Sequence, residues 1–171
     1  MSIVSLATRH EAALVSMLAD FERAGETDIA GYFLPFDCPH ARAVSSLAAW
    51  SRGEELALGW VPCTTLFYEE GDALLGLYNF RHQLSPQLEL EGGHVGYSVR
   101  PTGRGRGIAT ALLSAARVFA HARGIESLLL TCDTTNLASK RVIEKNGGLL
   151  RDTYPLPKSG RLTHRFDVPT T

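Results

Sequence analysis

The chain has 171 residues, of which 44% are hydrophobic and 20% charged, a balance that suits one folded domain with a core of ordinary size. No run approaches the roughly 18 apolar residues of a membrane span, the start lacks the basic and then apolar pattern of a secretory leader, and a formal net charge of −1 argues against a general nucleic-acid binder. Cys38, Cys63 and Cys132 are odd in number and share no C-x-x-C spacing, so neither a disulfide framework nor a metal site is expected, and a cytoplasmic location follows.

Ile3 to Ala7 read as a strand. In "TRHE", Thr8 followed three residues later by Glu11 forms a capping box that opens a helix. Leu14, Leu18 and Phe21 supply its apolar stripe and Gly25 its terminator. After the aromatic loop "GETDIAGYFLPFD", Asp37 and Pro39 open a second helix that carries Val44, Leu47 and Trp50 on one face and ends near Gly53. "TTLFYEEGDALLGLYNFRH" reads as a hairpin turning at Glu70-Gly71-Asp72, and "GGHVGYSVR" as a further strand.

The next helix starts beyond Arg104, buries Ile108, Leu112, Ala116 and Phe119, and stops at Gly124. "SLLLTC", residues 127–132, is a continuous apolar run and therefore a central strand covered on both faces. A helix from about Asn136 to Asn146 ends at Gly147-Gly148, and "LLRDTY" and "LTHRFDV" close the chain as strands around Lys158-Ser159-Gly160. With no repeat and no linker, residues 1–171 form a single α/β unit.

"RPTGRGRGIATALL", residues 100–113, passes from a strand through glycines and arginines directly into a helix. Free amides at a helix N-terminus, with the helix dipole behind them, make an anion site that glycine lets a phosphate approach. No G-K-[ST] follows, as a Walker A loop would need, and Ile108 and Thr110 break G-x-G-x-x-G. The residues alone leave two readings, a pyrophosphate cradle or a tight strand-to-helix turn.

"RGRGIA", Arg104 to Ala109, matches the [QR]-x-x-G-x-[GA] signature of the GCN5-related N-acetyltransferases, the GNAT superfamily. It follows "GYSVRP", and about thirty residues later "NLASKRVIEKNGG", residues 136–148, is similar to that family's second block. "NFRHQL" with "EGGHVGYSVRP" further resembles a bacterial subgroup of predicted acetyltransferases. The resemblance implies a single-domain GNAT fold: a mixed central sheet splayed at the acetyl-CoA site, with helices on both faces. It implies acetyl-CoA as cosubstrate, no metal, and direct transfer to an amine within a ternary complex. Its pyrophosphate would sit on the loop Gly105, Arg106, Gly107, Ile108, Ala109 and Thr110, with Arg104 adding charge, and its pantetheine along the backbone of Tyr97, Ser98 and Val99, held also by Asn136.

The acid and base are less readable. Where many members carry a Glu base this chain has Gly93, so His94, or Glu91 through water, is the candidate base; where many carry a Tyr acid it has Ile143. Ser139, in an N-x-x-S that resembles the ribosomal-protein N-terminal acetyltransferase branch, is the candidate acid. A non-catalytic acetyl-CoA sensor and a nucleotide-binding module stand as rival readings. The acceptor would be a small-molecule or peptide amine, without nucleic acid or membrane, and a homodimer is left open.

Charge is divided along the chain. Residues 1–99 hold 5 Lys or Arg against 13 Asp or Glu, a balance of −8, and residues 100–171 hold 12 against 5, a balance of +7. Since the first part would build most of the acceptor side, a cationic acceptor steered by carboxylates of "GETDIAGYFLPFD" and "QLELEGGH" is expected.

Overall fold

The computed structural model describes residues 1–171. Strands β1 (Ser2–Val4), β2 (Cys63–Glu70), β3 (Ala73–Arg81) and β4 (Val95–Val99) form a four-stranded antiparallel sheet in that order. Strands β5 (Ser127–Asp133), β6 (Leu149–Pro155) and β7 (Leu162–Pro169) form a three-stranded antiparallel sheet in the order β5-β7-β6. The two sheets meet at one place. There the His94 N–H donates to Leu129 O at 2.8 Å and the Leu129 N–H to His94 Nδ1 at 2.9 Å. Beyond that junction β4 and β5 part, so the expected splayed sheet takes the form of two antiparallel sheets joined at a point.

Helices cover both faces. Helix α1 (Glu11–Arg23) and helix α2 (His40–Ser51) pack Leu14, Met17, Phe21 and Leu47 against Phe67, Leu74 and Leu77 on one face of the first sheet. Helix α4 (Ile108–His121) lies on the other face, where Leu112, Leu113 and Ala116 join Tyr78 and Phe80 to Leu128, Leu130 and Phe166. One apolar cluster thus spans both sheets and fixes the angle of their parting. Leu128, Leu129 and Leu130 are all buried, as expected for a strand covered on both faces.

Three local expectations change. The first strand is only three residues long, because its pairing with Phe67–Glu69 ends at Val4. The Thr8–Glu11 capping box does not form; a 3₁₀ turn over Thr8–His10 comes first, and His10 Nδ1 accepts the Ala7 N–H at 2.9 Å. The turn buries His10 beside Glu69, which Arg9 also binds, so the chain's first ion cluster displaces the local cap. A short helix α3 (Pro86–Leu90), unforeseen in "QLELEGGH", is capped by Ser85 Oγ, which accepts the Leu88 N–H at 3.3 Å. Five residues carry no helical periodicity to read, although Ser-Pro is a start signal.

Candidate active site

A cleft of about 570 Å³ opens where β4 and β5 part. Its first wall is β4, which has a strand partner on one side only. The Arg81 N–H donates to His94 O and the Arg100 N–H to Leu75 O, so within β4 the even-numbered Gly96 and Ser98 turn their backbone toward β3. By the two-residue alternation of a strand, the backbone groups of Val95 and Tyr97 and the Val99 N–H are left for the cleft, the Val99 C=O being taken by Arg104 Nε.

The floor is the glycine-rich loop. Gly105 and Gly107 take φ of +79° and +80°, left-handed values that side chains rarely adopt, and Gly107 is the residue from which α4 springs. The first intrahelical bond of α4 runs from the Ala111 N–H to Gly107 O at 3.1 Å, leaving the amides of Ile108, Ala109 and Thr110 without helical acceptors. All three residues line the cleft. Asn146 holds this first turn in place, its Nδ2 donating to Thr110 O at 3.3 Å and to Val142 O at 2.9 Å.

The facing wall comes from Leu130, Thr131 and Cys132 of β5 and from helix α5 (Leu137–Lys145). Asn136 caps α5, its Oδ1 accepting the Ser139 N–H at 2.9 Å. Ser139 Oγ lies 2.9 Å from Tyr97 Oη, so one hydrogen bond crosses the cleft from α5 to β4. Burial pushes the Tyr97 phenol up to about 12, so it keeps its proton throughout the neutral range. Burial likewise raises the Cys132 thiol, with the Ser139 hydroxyl acting in the opposite sense.

Tyr97, Ser98, Val99, Arg104, Gly105, Gly107, Ile108, Ala109, Thr110, Asn136 and Ser139 therefore all border one cavity. Arg106 does not. It pairs with Glu70 on the outside of the loop. Arg104 bridges the loop to its surroundings instead, with Nε donating to Val99 O at 3.2 Å and the fork holding Glu26 at 2.8 and 2.6 Å.

His94 and Glu91, the candidate bases, stand outside the cleft. His94 spends Nδ1 on the Leu129 N–H, stacks on Phe80, and is pushed down in pKa by burial, so it serves as a neutral brace of the sheet junction. Glu91 is exposed and paired with Arg161. Two contributors escaped the sequence reading: the Tyr97 side chain, and Lys145 at the cleft's rim. The first had a signal, since a tyrosine in a half-buried strand needs a partner for its hydroxyl.

The acidic surplus of residues 1–99 is also redistributed. Asp20 binds Arg100, Glu26 binds Arg104, Glu70 binds Arg106 and Glu91 binds Arg161, each a carboxylate of the acidic part on an arginine of the basic part. The charge asymmetry thus holds the two parts together, and the expected draw on a cationic acceptor loses Glu26 and Glu91 to internal partners.

Residues 4–148 match the family model described as the acetyltransferase (GNAT) domain. No curated protein matches the sequence significantly. Among solved structures, the chain is similar to an acetyl transferase of Salmonella typhimurium that modifies the N-terminal serine of a 50S ribosomal subunit protein (15% identity, TM-score 0.68, covering 98% of this chain and 93% of that one). It is similar to the microcin C7 self-immunity acetyltransferase MccE, solved with acetyl-CoA and AMP (13% identity, TM-score 0.69, 98% and 91% covered). It is similar also to a ribosomal-protein-alanine N-acetyltransferase from Brucella melitensis (18% identity, TM-score 0.67, 99% of each chain). At such identities the likeness is one of fold.

Proposed function

The chain belongs to the acetyltransferase (GNAT) family, and on that premise we propose that it transfers the acetyl group of acetyl-CoA to a primary amine of a small molecule or peptide, by direct attack in a ternary complex. The observation that carries this reading is the cleft itself. At one end it offers unpaired amides at the head of α4, and at the other a hydroxyl held by a second hydroxyl, with an unpartnered strand edge between them.

Each part answers one need of the reaction. Pyrophosphate oxygens would take the amides of Ile108, Ala109 and Thr110 with the α4 dipole behind them, beside open space at Gly105 and Gly107 where no heavy atom would meet a Cβ within 4 Å. Pantetheine amides would pair with the free backbone of Tyr97 and the Val99 N–H, as an added strand does. A β4 N–H then faces the thioester carbonyl and stabilises the oxyanion that forms when the amine attacks.

Collapse of that intermediate breaks the C–S bond and needs a proton on the departing thiolate. Ser139 Oγ supplies it, and Tyr97 Oη holds Ser139 in place and can restore its proton. No side chain of the cleft stands as a carboxylate or imidazole base, so the amine loses its proton to solvent at the open mouth. Asn136 acts by fixing the turn that presents Ser139.

Thiol release from acetyl-CoA across a panel of amines tests the proposal directly. Turnover with at least one amine, lost on heat denaturation, is the expected result. Tight acetyl-CoA binding with no turnover for any amine would favour the sensor reading, which the lack of a base in the cleft supports. Equal binding of ATP, NAD and acetyl-CoA would instead indicate a general nucleotide module.

A further inference from the structure

A second cavity, of about 250 Å³, lies on the α1/α2 face of the first sheet. Phe33, Trp60, Leu88, Asn79 and Arg81 are among its lining residues. Phe33 and Trp60 meet edge to face with ring centroids 5.4 Å apart, and Trp60 continues onto Trp50 at 5.2 Å, giving an aromatic wall. Its volume is below the roughly 300–1,000 Å³ of sites for drug-sized ligands, so the occupant is of amino-acid size.

Two polar groups in this wall lack partners. Arg81 Nη1 donates to Gly92 O at 2.9 Å and Gly93 O at 3.1 Å, which leaves Nε and Nη2 without a protein acceptor. No carboxylate pairs with the guanidinium: the titratable groups that interact with it are the Cys63 thiol and the His94 ring, neither of them an anionic partner, and the Phe33 ring lies 5.8 Å from its Cζ. In this it differs from Arg100, Arg104, Arg161 and Arg165, each of which has an Asp or Glu. Asn79 is fully buried and gives Nδ2 to Thr65 Oγ1 at 3.0 Å, while its Oδ1 has no partner.

This cavity and the cleft are neighbours. Asn79 is the register partner of Gly96, which lines the cleft, and the loop that gives Phe33 to the cavity gives Ala30 to the cleft. Between them Gly31 lies so close to the sheet that a Cβ would stand 2.9 Å from Gly96 O and 3.1 Å from Asn79 N. Ser98 Oγ pins the same loop by donating to Ala30 O at 2.9 Å. A ligand seated against Phe33 and Trp60 is therefore one chain thickness from the cleft.

We propose that this cavity anchors an apolar, carboxylate-bearing end of the acceptor while its amine, on a spacer that passes Gly31, reaches the cleft, which makes the acceptor an anionic amine rather than a polyamine. A half-buried guanidinium without a counter-charge is costly, and a carboxylate supplies both the charge and a planar pair of oxygens for its two free N–H directions. The aromatic wall takes the apolar part, and the orphaned Asn79 oxygen takes a ligand N–H. The word "acceptor" rests on the transferase reading above; the ligand chemistry does not.

The test separates the two. The protein has two tryptophans, in contact, of which Trp60 is 41% exposed at the cavity, so indole fluorescence reports occupancy without acetyl-CoA. Titration is made with 3-phenylpropanoate, its neutral amide and phenethylamine, with calorimetry in parallel. The carboxylate should bind at least about tenfold more tightly than the amide, with phenethylamine weakest. Phe33→Ala should weaken every probe, and Arg81→Gln should erase the preference for carboxylate. Should Arg81→Gln fail to fold because Gly92 and Gly93 lose their donor, the probe series on the unaltered protein decides. Equal binding of carboxylate and amide, tighter binding of the cation, or no binding overturns the proposal. Probe binding without any thiol release keeps the cavity and defeats the transferase reading; acetylation of polyamines with no binding of carboxylates does the reverse.

Discussion

The cleft and the aromatic cavity adjoin each other but are assembled in opposite ways. The cleft's floor and first wall come from one uninterrupted stretch, residues 95–110, in which strand, turn and helix start follow in order. The cavity draws Phe33, Trp60, Asn79, Arg81 and Leu88 from a loop before α2, a loop after it, a strand and a short helix. Their charges differ as well. The arginines of the glycine-rich loop are paired with Glu26 and Glu70, whereas the arginine of the cavity binds backbone carbonyls and has no carboxylate. On the proposed reading a phosphate in the cleft would be met chiefly by backbone amides, and an anion in the cavity by a side chain. Selectivity for acetyl-CoA should therefore depend on loop conformation, and selectivity for the acceptor on side-chain identity.

The sharpest way to break this contrast is Gly107→Glu. A Cβ there meets no heavy atom within 4 Å, so the protein should fold despite a strained φ, while acetyl-CoA affinity should fall about a hundredfold or more as a carboxylate meets the pyrophosphate. The thermal stabilisation that acetyl-CoA gives the parent, about 2.7 kcal/mol at a hundredfold excess over its dissociation constant, should vanish. Phenylpropanoate binding should survive. Loss of both would show that the two regions are one site.

Ser139→Ala should lower kcat by about a hundredfold while changing the acetyl-CoA dissociation constant by less than about threefold, because a proton donor acts in the transition state. Tyr97→Phe, which keeps the ring and removes the hydroxyl that holds Ser139, should cost about tenfold in kcat. Single-turnover kinetics with directly measured binding checks both. Equal losses in binding and rate would make the pair a wall of the cleft and no more.

Alkaline stability offers a further distinction. The folded protein holds the Tyr97 phenol at about 12, whereas an unfolded tyrosine titrates near 10. Above about pH 10 the unfolded chain releases a proton that the folded one retains, so this contribution is whole below pH 10 and is lost as pH rises toward 12. Tyr97→Phe should flatten the decline in urea midpoint between about pH 10 and 12 relative to the parent. Parallel curves would mean that Tyr97 ionises as readily in the fold as out of it.

The smallest effect expected is at Arg106. It pairs with Glu70 away from the cleft, so Arg106→Ala should change acetyl-CoA affinity by less than about twofold, as exposed ion pairs generally contribute little. Lys145→Ala, at the rim, should weaken it severalfold and more so at low salt. A large Arg106 effect would return that side chain to the phosphate site.

Elements and their order were legible because each is set by local chemistry. Gly107 can take the left-handed φ that a tight strand-to-helix turn asks for, Asn136 caps the helix that follows it, and Leu128 to Leu130 are apolar enough to be covered on both faces. The glycine-rich loop was legible for the same reason, its amides being freed by the start of its own helix. The surroundings of His94, Glu91 and Tyr97 were not, because each depends on what lies across space. His94 meets Leu129 of another sheet, Glu91 meets Arg161, and Tyr97 meets Ser139 of a helix that begins forty residues later. Formal charge shows the same limit. The sequence determined that residues 1–99 are acidic and residues 100–171 basic, but only the tertiary structure decided that these charges would pair across the boundary and leave Arg81 without a carboxylate. Charge counts add along a chain, whereas Coulomb energy is fixed by distance and burial, which are settled only when the strands and helices pack.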